Sequence, residues 1–185
     1  MSRGEVDGTE DDDFELQLGD HTPVPHDPGA APRARRFREV LGHFATGVTV
    51  VTSVVDGEPV GMTCQAFASV SLEPPLVMFC ASRSSQSWAR IRTSGRFCVN
   101  VLDADQEELS RVMASRGHRF AGVDWRPAAT GAPVVAGVAA YVDCLLEEVH
   151  PTGDHDVVIG RVQELGSRED AEPLVFHRGG YRHLG

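Results

Sequence analysis

The sequence lacks the motifs that mark several common enzyme classes. No G-x-G-x-x-G pattern follows a predicted strand, so a Rossmann dinucleotide site is not supported, and no G-x-x-x-x-G-K-[S/T] loop for phosphoryl transfer occurs. Neither a G-x-S-x-G nucleophile elbow nor an H-E-x-x-H zinc helix is present. Any enzymatic activity must therefore use a different kind of site.

The chain also lacks long apolar runs and paired-cysteine motifs. No segment approaches the roughly 20 apolar residues of a membrane span, and no apolar segment follows the N-terminus, so we expect a cytoplasmic protein. The four cysteines form no C-x-x-C pair and lie in apolar surroundings, which favours free buried thiols. They are Cys64, Cys80, Cys98 and Cys144. The eight histidines do not cluster at ligand spacing, and no metal site is predicted.

The formal net charge of −10 is concentrated at one end of the 185-residue chain. Residues 1–32 contain nine acidic residues against Arg3 alone and carry −8 of that charge. Because they show almost no apolar periodicity, we expect a disordered acidic tail there. Residues 33–185 are predicted to form one domain, which is nearly neutral, so the charge gives no support for nucleic-acid binding.

The ordered part is predicted to open with a helix and a hairpin. Four apolar residues after residue 33 have the i, i+3, i+4, i+7 spacing of a helix with one buried face. They are Phe37, Val40, Leu41 and Phe44, and the helix is expected to end at Gly47. A β-branched run at 48–55 followed by Asp56-Gly57 predicts a two-residue hairpin, whose return strand leads into residues 59–71.

The rest of the chain alternates short strands with turns. Further strands are predicted at 76–80, 97–102, 138–150, 157–162 and 174–176, the last closing the sheet. One short helix follows residue 84 and ends at Gly95. Another is capped by Asp103 with Gln106 in the reciprocal position. The loop after it is expected to be anchored by Phe120 and Trp125. Since most strands are joined by turns, the pattern favours an antiparallel barrel with short helices over a parallel sheet.

Two segments have the composition of ligand-binding elements. The name Gly-Thr stretch is used here for residues 59–66. Small and hydroxylated residues fill positions 61–76, where a structural strand would carry Val, Ile or aromatics. Their backbone amides could therefore reach a polar, planar ligand. Residues 81–86, the serine turn, crowd hydroxyls and Arg83 at a predicted helix N-terminus that suits a phosphate. A strand with one solvated face and plain helix capping are the alternative interpretations.

A third segment is the tight turn Gly153-Asp154-His155, the Gly-Asp-His turn. Glycine permits the reversal, Asp154 can bond its own backbone, and the imidazole projects from the tip. Such a histidine is either an ordinary surface residue or a contact for a ligand's amide or phosphates. The residues alone leave both interpretations open.

In order along the chain, GVTVVTS, PVGMTCQAFASVSLEPPLVMFC, SRSSQSW, FCVNVL, GDH and PLVFHRGGY resemble the short-chain flavin reductase family. These enzymes are NAD(P)H:flavin oxidoreductases that supply reduced flavin to two-component monooxygenases. The resemblance spans residues 37–181, and its two most specific parts are GMTCQAFASVSLEPPL, at residues 61–76, and the GDH turn. The motifs GxCQ(S/A)F, FCVNVL and DWRP most resemble those of the reductase partners of hydroxylases that act on phenols and steroid-derived aromatic rings.

The resemblance implies a mainly β, antiparallel Greek-key split β-barrel of the FMN-binding type. It further implies a homodimer holding FMN or FAD at the subunit interface, and a separate oxygenase that receives the reduced flavin. The resemblance favours NADH over NADPH as the cofactor. The implied flavin-binding residues are Pro59, Val60, Gly61, Met62, Thr63, Gln65, Ala66, Ala81, Ser82, Arg83, Ser84, Ser85 and Gln86. The implied nicotinamide-binding residues are Gly153, Asp154 and His155.

One departure from the family concerns the flavin. Many members read T-x-N-S-F where this chain has Thr63-Cys64-Gln65-Ala66-Phe67, which removes two side-chain hydrogen bonds worth roughly 0.5–1.5 kcal/mol each. Gln65 is a candidate to replace one of them. Because the flavin itself accepts the hydride, no catalytic acid or base is predicted. The alternatives are a split-barrel flavoprotein that retains its flavin and acts on another small molecule, and a non-catalytic flavin-binding protein.

Overall fold

The computed structural model describes residues 30–115, 117 and 119–184. Within these residues the chain forms three helices, α1 (Ala30–Leu41), α2 (Gln86–Ser94) and α3 (Glu107–Ala114). It also forms twelve strands: β1 (Thr46–Gly47), β2 (Thr49–Val55), β3 (Glu58–Cys64), β4 (Phe67–Leu72), β5 (Pro75–Ser82), β6 (Arg96–Val101), β7 (Trp125–Pro127), β8 (Pro133–Val135), β9 (Ala140–Thr152), β10 (His155–Ser167), β11 (Val175–His177) and β12 (Gly180–Arg182).

Seven of the described strands form one antiparallel sheet in the order β3-β2-β6-β9-β10-β5-β4. Strands that are neighbours in this order are often distant in sequence, because β6 lies beside both β2 and β9, and β10 lies beside β5. Such crossing connections between antiparallel strands are typical of Greek-key folds. The predicted mainly β, antiparallel architecture is confirmed.

The sheet curves into a barrel around an apolar core. Strands β3 and β5 are far apart in the sheet order, yet Met62 of β3 and Phe79 of β5 belong to one buried cluster, which requires a curved sheet. Helix α2 contributes Trp88 and Ile91, which are 2% and 1% exposed. Burying side chains of this size stabilises the fold by roughly 1.5–3 kcal/mol each. The helix is thereby fixed against the barrel.

A second buried cluster fills the outer side of the sheet. Met113 of α3 packs there with Leu102 and Leu174. The side chain of Asn100 ties this layer together, because its Nδ2 donates to the carbonyl of Pro133 at 3.2 Å and its Oδ1 accepts from the amide of Val135 at 2.8 Å. A buried amide with these partners fixes β8 on the barrel.

The cysteine prediction is confirmed. All four thiols are free; Cys64, Cys98 and Cys144 are buried, while Cys80 is half-buried. The predicted hairpin at Asp56-Gly57 also forms, because Val55 and Glu58 pair across it.

The first helix differs from the prediction in its packing. It ends at Leu41 rather than near Gly47, so Phe44 lies beyond it. Phe37 and Phe44 are 66% and 78% exposed, and neither belongs to a buried cluster. The prediction that this helix buries its apolar face is therefore wrong for a single chain, because α1 contributes to neither buried cluster.

Three further predictions are wrong, wholly or in part. The strand at 174–176 does not join the seven-stranded sheet, because β11 pairs with β1 and β12. Trp125 is 38% exposed and anchors nothing in the core. The Asp103 carboxylate does not cap helix α3, which starts at Glu107, since it accepts from Arg168 at 2.9 Å instead. The predicted reciprocal bond does form, because Gln106 Oε1 accepts from the Asp103 backbone N–H at 3.1 Å.

The predicted acidic tail lies outside the described residues except for its last three, which begin α1. Its division from the domain at residue 33 stays a prediction. Among the helices of the described ranges, none has the length and apolar character needed to cross a membrane.

Candidate functional site

The Gly-Thr stretch lies on β3, at one end of the sheet order, and runs past it into Gln65 and Ala66. Pro59, Val60, Gly61, Met62 and Thr63 are all strand residues. The two faces of the strand have different neighbours. Val60 and Met62 point into the barrel core, whereas the Thr63 hydroxyl donates to the Ser110 carbonyl of α3 at 2.7 Å.

Gly61 is small for a structural reason. A Cβ added there would lie 3.0 Å from Cε2 of Phe120 and 3.2 Å from Sδ of Met113. The missing side chain therefore makes room for these two residues and does not expose the backbone to a ligand, which corrects the expectation for this glycine. In addition, Arg119 Nη1 donates to the Gly61 carbonyl at 2.9 Å.

The serine turn connects β5 to α2 as predicted. Ala81 and Ser82 end β5, Gln86 begins α2, and Arg83, Ser84 and Ser85 form the connection. The Ser85 hydroxyl accepts from the backbone N–H of Trp88 at 3.2 Å, which makes Ser85 the N-cap of the helix. The hydroxyls of Ser82 and Ser84 lie 2.9 Å apart, within hydrogen-bond distance.

The Gly-Asp-His turn joins β9 to β10. Gly153 and Asp154 form the reversal, and His155, the first residue of β10, pairs with Thr152 of β9 on one side and with Ser82 of β5 on the other. The structure therefore places the Gly-Asp-His turn directly beside the serine turn, although about 70 residues separate them in sequence.

The imidazole of His155 has a defined orientation. Its Nδ1 lies 2.8 Å from Oδ1 of Asp154, and because a carboxylate only accepts, Nδ1 carries the hydrogen. In the neutral ring Nε2 is then the acceptor. The His155 side chain is 24% exposed. The arrangement can accept a hydrogen bond from a ligand's amide group.

Arg119 joins the Gly-Thr stretch to the helix behind the serine turn. Besides its bond to Gly61, its Nη1 contacts the Ser87 hydroxyl at 2.5 Å. Burial lowers the pKa of this guanidinium from its usual value. The Ser85 hydroxyl also lies 3.8 Å from Sδ of Met62. All three predicted segments therefore meet at one end of the barrel.

Sequence reasoning missed a buried carboxylate at this end. Asp156 follows His155, and its side chain is only 3% exposed. Its Oδ2 accepts from Nε1 of Trp88 at 2.8 Å, and it lies 3.7 Å from Arg92; its Oδ1 lies 3.7 Å from Nε of Arg83. The signal in the sequence was an acidic residue next to the apolar run of β10. It was not enough to predict the buried carboxylate, because the partners of Asp156 come from other parts of the chain.

The site has no group suited to covalent or metal chemistry. Burial raises the pKa of the Cys64 thiol to about 12, so the thiol stays protonated at neutral pH. No three His, Cys, Asp or Glu residues within the described ranges are grouped so that they could hold a metal ion.

A separate cleft of about 430 Å³ lies elsewhere on the molecule. Trp125, Arg126, Tyr141 and Arg168 are among its lining residues, and none of the predicted binding residues borders it. We place the candidate site at the meeting of the three predicted segments, because hydrogen bonds and strand pairing connect them there.

The fold is an antiparallel barrel, and the three predicted binding segments meet at one end of it. The model of the flavin reductase like domain family matches residues 41–185, and this chain belongs to that family. The resemblance stated from the sequence is confirmed. A relative from Rhodococcus jostii (strain RHA1), the reductase subunit HsaB of a flavin-dependent monooxygenase, is 51% identical over 148 residues, covering 80% of this chain and 76% of that protein.

Solved structures agree with this assignment. Nitrilotriacetate monooxygenase component B from Mycobacterium thermoresistibile is 47% identical, with a TM-score of 0.81 over 84% of this chain and 88% of that chain. The NADH:FAD oxidoreductase SgcE6 of Streptomyces globisporus C-1027, solved with NAD and FAD fragments, is 36% identical. Its TM-score is 0.78, covering 89% of this chain and 98% of that chain.

Trp88→Phe tests the hydrogen bond from the Trp88 indole to the buried carboxylate of Asp156. The change removes the indole N–H, leaves a buried carboxylate oxygen without its donor and leaves a small void, so we expect the free energy of unfolding to fall by about 2–4 kcal/mol. Trp125→Phe, at the exposed tryptophan, is the matched control and should change it by about 0.5 kcal/mol or less. Urea unfolding measures both, and equal losses would contradict the assigned role of the Trp88–Asp156 bond.

Proposed function

We propose that this chain is an NADH-dependent flavin reductase that transfers a hydride to FMN or FAD and supplies the reduced flavin to a partner monooxygenase. The observation that carries the proposal is the pairing of Ser82 with His155, which joins the predicted flavin and nicotinamide segments at one end of the barrel. Family membership and the printed name of the Rhodococcus relative, a monooxygenase reductase subunit, support the same function.

The residues present fit a flavin. Nε2 of Gln65 is buried and has no hydrogen-bond partner among the described residues, although such a donor normally finds one. An isoalloxazine ring offers carbonyl and nitrogen acceptors that match it. At the serine turn, the capped N-terminus of α2 and the hydroxyls of Ser82 and Ser84 suit the flavin phosphate.

When bound, the flavin supplies the hydride acceptor, and the nicotinamide supplies the hydride. The chain's own contribution is binding and orientation, since holding two reactants in register removes much of the entropic barrier. In this proposal His155 accepts a hydrogen bond from the nicotinamide carboxamide through Nε2, while Asp154 fixes its tautomer. Gly153 permits the reversal that presents the imidazole, with a φ of 63°.

The proposal includes a homodimer. Three apolar residues on one face of α1, Phe37, Val40 and Leu41, are 66%, 49% and 55% exposed in the single chain. A helix with an apolar stripe buries it against a partner, and a second copy is the partner that the family resemblance implies. Sedimentation equilibrium of the purified chain should give the dimer mass. A monomer at micromolar concentration would contradict this part of the proposal.

The cytoplasm is the proposed location, as expected from the sequence. The aromatic or steroid-ring substrate of the partner oxygenase likewise stays an expectation of the family resemblance. Neither expectation affects the assay of the reductase itself.

NADH oxidation by the purified protein, titrated in turn with FMN, FAD and riboflavin, tests the function. We expect saturable turnover that depends on added flavin, and the three KM values rank the flavins. Flavin that stays bound through purification and needs no addition would favour a flavoprotein acting on another small molecule. Flavin binding without turnover with either nicotinamide cofactor would favour a non-catalytic binder.

His155→Ala tests the nicotinamide contact. Losing one hydrogen bond and the orienting ring should raise the KM for NADH about fivefold or more, with little change in flavin affinity. His150→Ala is the matched control, because His150 is an exposed histidine on β9 of the same hairpin, bonded to Glu148 at 2.7 Å. If flavin affinity fell and the KM for NADH did not change, the assigned role would be wrong.

Gln65→Met tests the flavin contact with two readouts of opposite sign. Methionine keeps the length of the side chain and removes the buried, unpartnered amide, so the ligand-free protein should be as stable or more stable in thermal unfolding. The dissociation constant for the preferred flavin, measured by fluorescence quenching, should rise about fivefold. Unchanged flavin affinity would mean that the amide serves no ligand.

A further inference from the structure

The serine turn contains one cation, Arg83, and its hydrogen bonds go to the Gly-Asp-His turn. Arg83 Nη1 donates to the Gly153 carbonyl at 3.3 Å, and the Arg83 backbone N–H donates to the Asp154 carbonyl at 3.0 Å. Its Nε lies 3.7 Å from Oδ1 of Asp156. Backbone and side chain of Arg83 therefore both engage the Gly-Asp-His turn.

The buried carboxylate explains why Arg83 takes this direction. Oδ1 of Asp156 is buried and has no hydrogen-bond partner among the described residues, whereas Oδ2 accepts from Trp88. A buried charge without a partner is costly, so a nearby guanidinium is held towards it. Arg83 Nε is the cation next to Oδ1, and Arg92 lies on the Oδ2 side at 3.7 Å.

These contacts form a continuous connection from the barrel core to the turn. Trp88, 2% exposed in α2, holds Asp156; Asp156 faces Arg83; and Arg83 holds Gly153. The reversal has only two residues, one of them a glycine, and its side chains are exposed. Without an anchor, the position of His155 relative to the end of β5 would depend on strand pairing alone.

We infer that Arg83 is a positioning residue of the Gly-Asp-His turn, braced by Asp156, and is not a ligand of the flavin phosphate. The inference rests on the proposed function and changes the role of one residue within it. The serine hydroxyls and the N-terminus of α2 remain the phosphate-binding groups. Arg83 instead holds His155 where the nicotinamide cofactor binds.

The test is Arg83→Gln, with Arg90→Gln as the matched control because Arg90 is an exposed arginine on α2, the helix that follows the serine turn. Arg83→Gln should raise the KM for NADH and the inhibition constant of NAD⁺ about fivefold, while the FMN dissociation constant stays within about twofold. It should also speed amide hydrogen exchange at residues 153–155. Arg90→Gln should change none of these quantities.

Asp156→Asn is the second variant, since asparagine keeps the volume and an oxygen acceptor for Trp88 while removing the charge. It should reproduce the effect of Arg83→Gln, and the double variant should be no worse than either single one, because the two residues act in series. If Asp156→Asn does not fold, Arg83→Gln alone decides the inference.

Three outcomes would overturn the inference. A rise in the FMN dissociation constant with an unchanged NAD⁺ inhibition constant would make Arg83 a flavin-phosphate ligand. Equal rises in both would indicate general damage to the serine turn, and no change in either would show that the brace has no effect. Failure of the proposed function can be distinguished from failure of this inference. In the first case the unaltered protein would not oxidise NADH, while hydrogen exchange would still report whether Arg83 holds the turn.

Discussion

The candidate site depends on one strand pairing. Strand β10 bonds to β9 along their hairpin and to β5 on its other edge, with Ser82 and Ala81 opposite His155 and Asp156. Because antiparallel registers are fixed residue by residue, this pairing sets the distance between the serine turn and the Gly-Asp-His turn. Neither turn could form a two-ligand site by itself, and a slip of one residue in the pairing would separate them.

A second constraint comes from burying a carboxylate beside that pairing. Asp156 needs donors that its own strand cannot supply, and they come from Trp88 in α2 and from two arginines at 3.7 Å. A buried charge is tolerated only where such partners are held in place. The cost of this charge therefore links α2, the serine turn and β10, and it orders the end of the barrel where ligands are proposed to bind.

Local signals predicted the elements whose causes are local. The Asp56-Gly57 hairpin, a serine cap at 84 or 85, the end of α2 at Gly95 and the Gly-Asp reversal before His155 all depend on neighbouring residues. All are present, with Ser85 as the cap. The burial of α1 could not be predicted in the same way. Periodicity shows that a helix has an apolar face, but not whether its own chain covers it, and here it does not.

The long-range contacts of the site were likewise outside the reach of sequence patterns. Arg83, Arg119 and Asp156 acquire their partners from segments roughly 60 to 70 residues away, and no spacing rule relates such positions. The family resemblance named candidate binding segments and treated the serine turn as one unit. Only the contacts of the Arg83 side chain distinguish its role from that of the serine hydroxyls.

Gly61 shows that a small residue can have a packing cause that composition does not reveal. Composition suggested that the small residues of the Gly-Thr stretch leave its backbone open, yet Phe120 and Met113 fill the space beside Gly61, and Arg119 covers its carbonyl. Met62 closes the opposite face of β3 by packing into the barrel. In the proposed function, a planar ligand would therefore meet this stretch at its far end, where Ala66 is exposed and the unpartnered amide of Gln65 lies, rather than across either face of the strand.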